Sequence, residues 1–174
     1  VQGGSDVGAN CVEARPNGEA MGTTEWKIFG EKWFCSNADA DLILMTARVE
    51  DGPDGTRGLG LFLVPRILPD HTPNNFMMRR LKEKLGTRSM PSAEIDFQGA
   101  TAYAVGPVDA GFATVINHVI NTSRLYNTVG CTGIARRATL IARGYAEHRE
   151  AFGQPVIAYP LMQEMLASMY ATEA

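Results

Sequence analysis

In the first part of the chain, apolar positions fall in short runs cut by turn residues. In the last part they recur at helical spacing. The short runs are rich in aromatic and β-branched residues, which suit a pleated, half-buried surface. They predict strands at 11–15, 26–29, 32–36, 42–48, 59–64, 76–82, 92–97 and 100–105. Turn signals separate them: Pro16-Asn17-Gly18, Gly52-Pro53-Asp54-Gly55, Pro69-Asp70, Pro73-Asn74-Asn75 and Gly99. Gly30 divides Trp26, Ile28 and Phe29 from Trp33, Phe34 and Cys35, which predicts two strands joined by a tight turn. The runs at 42–45 and 59–64 are almost continuously apolar, as expected of strands buried on both faces. Many short strands with no helix between them predict an antiparallel barrel or sandwich.

The period changes at Gly106-Pro107. Phe112, Val115, Ile116, Val119, Ile120, Leu125, Tyr126, Val129, Ile134, Ala138 and Ile141 then recur at helical spacing, to about His148. Asp109 is the expected N-cap, and Gly130 and Gly133 are expected to relax the helix or admit a close neighbour. Pro155 breaks the pattern, and a second helix is expected from Pro160, with Leu161, Met162, Met165, Leu166, Met169 and Tyr170 in one stripe. The fold class is therefore α+β: an all-β domain at 1–106, then long helices of a truncated bundle at 107–174. The chain starts inside a motif and stops inside a helical pattern, as expected of a piece of a longer protein.

A net charge of −3 gives no ground for nucleic acid or an anionic membrane as partner. No apolar stretch reaches the ~20 residues of a membrane span. Cys11, Cys35 and Cys131 are odd in number and widely spaced, which predicts free thiols and a reducing, cytoplasmic setting. His71, His118 and His148 form no ligand-spaced cluster, so no metal site is expected. Arg79, Arg80, Lys82, Lys84 and Arg88 make a basic cluster without interleaved aromatics. It reads as a solvated strand face partly compensated by Glu83.

Two stretches could carry chemistry. Trp33 and Phe34 precede the small polar tip Ser36-Asn37. That pattern suits either the end of a core hairpin or a wall against a flat, hydrogen-bonding ring such as a flavin. The Gly-rich run at 2–10 is either a surface loop or one whose amides approach a ligand closely.

Gln2-Gly3-Gly4-Ser5-Asp6-Val7, Lys32-Trp33-Phe34-Cys35-Ser36-Asn37 and Arg149-Glu150-Ala151-Phe152-Gly153-Gln154-Pro155, in that order, resemble landmarks of the acyl-CoA dehydrogenase family. The run from Arg80 to Ser89 is similar to that of its AidB-like branch. The resemblance implies a β-domain followed by a helical bundle, FAD as cofactor and an acyl-CoA thioester as substrate. In that chemistry a carboxylate takes the α proton and the flavin accepts hydride from the β carbon. It implies flavin contacts at Gln2, Gly3, Gly4, Ser5, Asp6, Val7, Phe34, Ser36 and Asn37. Arg149 and Phe152 would reach the FAD of a neighbouring subunit, and Ser5, Asn121 and Arg124 would contact acyl-CoA. An electron-transfer flavoprotein or other acceptor and a homodimer or homotetramer are implied as partners. The AidB-like branch implies DNA association of the intact protein as the alternative function. Phe34 stands where many members have Trp, Asn121 where Asp is frequent, and Tyr159-Pro160 where a polar pair is frequent near the adenine. The usual catalytic Glu would lie in later helices or, in some members, at the position held here by Ser123, so no catalytic residue is assigned.

Overall fold

The computed structural model describes residues 4–20 and 22–173. It divides into two compact units, Val1–His118 and Val119–Ala174. The first is a mixed sheet of six strands: β1 Glu13–Ala20, β2 Thr23–Ser36, β3 Leu42–Val49, β4 Leu59–Pro65, β5 Phe76–Leu81 and β6 Ser92–Ala104. Their order is β2-β1-β3-β4-β6-β5, and a further ladder between β2 and β6 closes the sheet into a ring. Every ladder is antiparallel except β1–β3, which is parallel. β2 follows nearly the whole of β6, while β5 and β4 share β6's other edge.

Three expected boundaries were misplaced, two of them because a bulge stands where a turn was expected. Gly30 does not turn the chain: β2 is a single 14-residue strand, and Gly30 sits inside it at φ +116°, with space for a Cβ limited by Val12 Cα at 3.4 Å. Pro16-Asn17-Gly18 lies within β1, where the register against β2 slips between Pro16 and Glu19. Gly99, at φ +83°, is the extra residue that joins two expected strands into β6. A bulge absorbs a residue with unusual dihedrals without ending pairing, and it sharpens the twist a closed ring needs. The sheet interior holds Ile28, Ala47, Phe62, Val64, Ile95 and Phe97, with Trp26 edge-on to Phe62 at 5.3 Å. β4 is buried on both faces as expected, but β3 exposes Leu42 and Leu44 (54% and 44%).

Buried Asn74 ties the end of β4 to β6. Its amide donates to the carbonyls of Pro65 (2.7 Å) and Thr101 (2.9 Å), and its side-chain oxygen accepts from the Thr101 N–H (2.8 Å). With its polar atoms paired, its burial carries little penalty.

After the sheet come α1 (Gly111–Val115), a π turn at Ile116–Ile120 and α2 (Asn121–His148). The N-cap is Ala110 rather than Asp109, with no side-chain cap bond. The helical irregularity is this π turn, not Gly130 or Gly133, which lie in unbroken α2 with nothing near a notional Cβ. Between α2 and α3 (Pro160–Glu173) stands a small hairpin absent from the expectation, β7 Glu150–Ala151 with β8 Gln154–Pro155. No described helix is long and apolar enough to cross a membrane.

Candidate functional site

The first unit carries an open groove at the end of β2. One part, about 240 Å³, is lined by Gly4, Asp6, Val7, Asn10, Lys32, Trp33, Phe34, Cys35 and Thr46. The adjoining part, about 320 Å³, shares Lys32, Phe34, Cys35 and Thr46, and adds Ser36, residues 43–45 and Phe97. The Gly-rich loop and the Phe34–Ser36 segment, far apart in sequence, thus face one space.

A third bulge builds its aromatic wall. Lys32 pairs with Ile95 and Cys35 with Ala93, so Trp33 and Phe34 together oppose the single residue Glu94. Successive strand residues normally point to opposite faces. The extra residue cancels that alternation, and Phe34, 54% exposed, is turned onto the groove with Trp33 beside it at 6.1 Å between centroids.

Arg48 anchors the loop wall. Its guanidinium donates to the carbonyls of Gly8 (2.6 Å), Asn10 (3.2 Å), Pro53 (2.9 Å) and Gly55 (3.2 Å). Asn10, buried on the groove, donates to the Thr46 carbonyl (3.0 Å) and accepts from the Val12 N–H (3.1 Å). Charge-assisted bonds to several carbonyls hold an irregular segment more firmly than single neutral ones.

Lys32 is the unusual group. Burial lowers its amine from the ordinary 10.5 to about 8, and Cys35 is the titratable group acting on it. The same burial pushes the Cys35 thiol up. A covered cation lining a groove favours a ligand that brings a negative charge or a hydrogen-bond acceptor.

Gly4, Asp6, Val7, Phe34 and Ser36 line the groove. Ser5 is exposed beside it, and Gln2 and Gly3 lie outside the described residues. Asn37 does not line it: in the left-handed region at φ +53°, it shapes the turn after β2, and its carbonyl accepts the Ala40 N–H (3.0 Å). Asn121, Arg124, Arg149 and Phe152 belong to the second unit. There Arg124 donates to the Asn121 side chain (3.3 Å) on an exposed face of α2. Arg149 is the C-cap of α2 and is exposed. Phe152 and Gly153 are the two left-handed residues of the β7–β8 turn, at φ +54° and +88°. A bulky residue is strained there, and Phe152 projects from the tip 97% exposed. The Tyr159 hydroxyl donates to the Ala151 carbonyl (2.7 Å), and its ring meets Phe152 edge-on at 6.3 Å.

The basic cluster is internally engaged. Arg79 pairs with Glu31, and Arg80 (2.8 Å) and Lys82 (2.6 Å) both pair with Glu94. Lys84 donates to the Met90 carbonyl (2.7 Å) and the Ser92 hydroxyl (3.0 Å), and Arg88 to the Lys84 carbonyl (2.7 Å). Compensation therefore comes from Glu31 and Glu94, not from Glu83. Among the described residues no His, Cys, Asp and Glu group could hold a metal, and the three cysteines are free.

Thr46 and Arg48 were not singled out from the sequence; Lys32 was quoted only within a motif, and Lys82 only as part of a basic face read as solvated, whereas its side chain is largely covered. Their roles depend on which strands the ring brings together.

Residues 1–100 match the model of the acyl-CoA dehydrogenase middle domain, and residues 109–174 that of the C-terminal domain. Acyl-CoA dehydrogenase family member 11 of Caenorhabditis elegans is 37% identical over 172 residues, covering 97% of this chain and 27% of its own length. The putative acyl-CoA dehydrogenase AidB of Escherichia coli is 35% identical over 168 residues, covering 97% of this chain and 29% of its own. The crystal structure of Caenorhabditis elegans ACDH-11 in complex with C11-CoA superposes with a TM-score of 0.82 at 37% identity, covering 98% of this chain and 29% of that one. The chain thus spans less than a third of the length of these relatives. Two domain models matched in order over nearly all of its length place it: the chain belongs to the acyl-CoA dehydrogenase family.

Proposed function

We propose that the chain supplies one wall of the flavin and thioester site of an FAD-dependent enzyme that oxidises an acyl-CoA across its Cα–Cβ bond. The observation that carries this reading is the groove, where the Gly4–Val7 loop and the bulged Trp33-Phe34 pair with Ser36 face one space. The residues fit a flavin. Phe34 offers an exposed ring face, Ser36 a hydroxyl, Gly4 a backbone without a Cβ at φ +39°, and Lys32 a covered amine that gains from an acceptor on the ring. When bound, the flavin supplies the hydride acceptor. This chain's own part is to flank the ring, hydrogen-bond it and exclude water from one side.

Asn121 and Arg124 serve the CoA portion of the substrate in this reading. Arg149 and Phe152 serve the FAD of a second subunit in a homodimer or homotetramer, and the exposed Phe152 tip suits such a contact. Reoxidation falls to an electron-transfer flavoprotein or a similar acceptor. Arg79, Arg80, Lys82, Lys84 and Arg88 have partners inside the sheet and its loop, so the dehydrogenase reading is preferred to DNA association.

The test uses the full-length protein purified with FAD supplied. The expected result is a bound flavin absorbance that bleaches anaerobically on adding an acyl-CoA. A protein that holds no flavin, or whose flavin no acyl-CoA chain length reduces, overturns the reading.

A further inference from the structure

The geometry points to Lys82 as the positioning residue for the aromatic wall of the groove: it holds Trp33 and Phe34 in place, and through them the ring they flank. This rests on the flavin reading above.

Lys82 follows β5 directly, and its N–H donates to the Ser92 carbonyl (2.7 Å). Its side chain crosses β6 to reach β2. The ammonium lies 3.8 Å from the centroid of the Trp33 ring and 5.7 Å from that of Phe34, inside the distance at which a cation is attracted to a ring face. It also donates to Glu94 Oε1 at 2.6 Å. Only 9% of its side chain is exposed, so it is not a solvated surface charge. Such an amine is held by its partners. Those partners are the residues of the bulge: Trp33, Phe34 and Glu94, the one residue they jointly oppose.

The need for a clamp follows from the bulge. Trp33 and Phe34 lie between the flanking pairs Lys32–Ile95 and Cys35–Ala93, outside regular register. Both side chains are about half exposed. Neither ladder nor core fixes their rotamers. A cation near both rings, itself held by Glu94, with Arg80 on the same carboxylate at 2.8 Å, gives them one preferred arrangement.

The experiment uses the full-length protein and four variants: Lys82→Met, Lys82→Arg, Glu94→Gln and Trp33→Phe. Met keeps the apolar stem but removes the charge; Arg keeps a cation that both pairs with Glu94 and stacks on indole. Two readouts are taken. In the FAD-free protein, acrylamide quenching is measured for the Trp33 emission, defined as the difference from Trp33→Phe. In the loaded protein, FAD Kd and visible circular dichroism are measured. Lys82→Met is expected to raise Trp33 quenching, weaken FAD by about five- to twentyfold and change the flavin dichroism, with melting temperature little altered. Lys82→Arg is expected to restore most of each signal, and Glu94→Gln to fall between. Wild-type quenching in Lys82→Met overturns the clamp. Raised quenching with unchanged FAD affinity and dichroism overturns the positioning role. Equal losses in the Met and Arg variants with a lowered melting temperature show a structural ion pair instead, and also overturn it. If Lys82→Met fails to fold, Glu94→Gln is read by the same criteria. A wild-type protein that takes up no FAD refutes the flavin reading, and with it the positioning role, while the quenching comparison still decides whether the clamp exists.

Discussion

Lys32 shows how a single residue can carry a cost. Its amine is lowered by burial from 10.5 to about 8, and no carboxylate acts on it. Below pH 8 it is charged in both folded and unfolded states, so the folded state bears the full desolvation penalty. Between pH 8 and 10.5 the unfolded chain binds more of this proton than the folded one, so stability rises with pH; above 10.5 the penalty is gone. The penalty at neutral pH is on the order of 3 kcal/mol. Lys32→Met is therefore expected to raise the ligand-free protein's unfolding free energy at pH 7 by about that amount, with the gain fading as pH passes from 8 towards 10.5. Urea titrations at pH 7 and pH 10 check this, and a gain equal at both would show that charge burial is not its cause. If a flavin or other acceptor offsets the amine, the same substitution weakens its binding.

At the scale of the element, α1 is seated on β4 by the absence of a side chain. A Cβ at Gly111 would lie 2.2 Å from Leu61 N and 2.3 Å from Gly60 C, backbone that a paired strand cannot yield. Its φ is not positive, so space, not conformation, demands glycine. Gly111→Ala is expected to destabilise by about 2–3 kcal/mol. Gly130→Ala, mid-helix with nothing within reach, is expected to stabilise by about 0.5–1 kcal/mol. Thermal unfolding of both variants decides it, and opposite signs are required. The sequence showed where strands and helices lie because period and residue type are local. It did not show the bulges. Gly30, Gly99 and Pro16-Asn17-Gly18 read as chain breaks, although all lie within long strands: Gly30 pairs in register with Phe97, Gly99 is an extra residue in β6, and the register of β1 slips between Pro16 and Glu19. An apolar run does not say which face is covered, so the exposure of Leu42 and Leu44 was hidden too. Phe34 and Ser36 were legible because they sit in one short motif. Thr46 and Lys82 were not, because the ladders β2–β6 and β5–β6 and the groove beside β3 bring them to the site; Lys32 lies in the same motif as Phe34, but its burial is a property of the folded groove.

For the molecule as a whole, the two units leave different surfaces unfinished. The groove of the first unit is open, with Phe34 half exposed. In the second, Leu125, Tyr126, Val129, Ile134 and Ile141 are all exposed along α2. Large apolar side chains left in water along one helix favour association. The 174-residue chain alone is therefore expected to self-associate with rising concentration, measurable by sedimentation velocity. It is also expected to turn over no acyl-CoA when FAD and a dye acceptor are added. Binding needs most of a ligand's surface covered, and one wall leaves much of a flavin wet. Proton abstraction needs a carboxylate within hydrogen-bond reach of a weakly acidic carbon. Ser123, the α2 residue that the resemblance matches to that base in some family members, carries a hydroxyl that is not a base at neutral pH. Asp6 is a carboxylate on the groove, in the loop wall that Arg48 anchors. Turnover by the isolated chain that vanishes in Asp6→Asn would assign the base to that loop, and turnover that vanishes in Ser36→Ala would show that one wall is enough. Either result overturns the expectation.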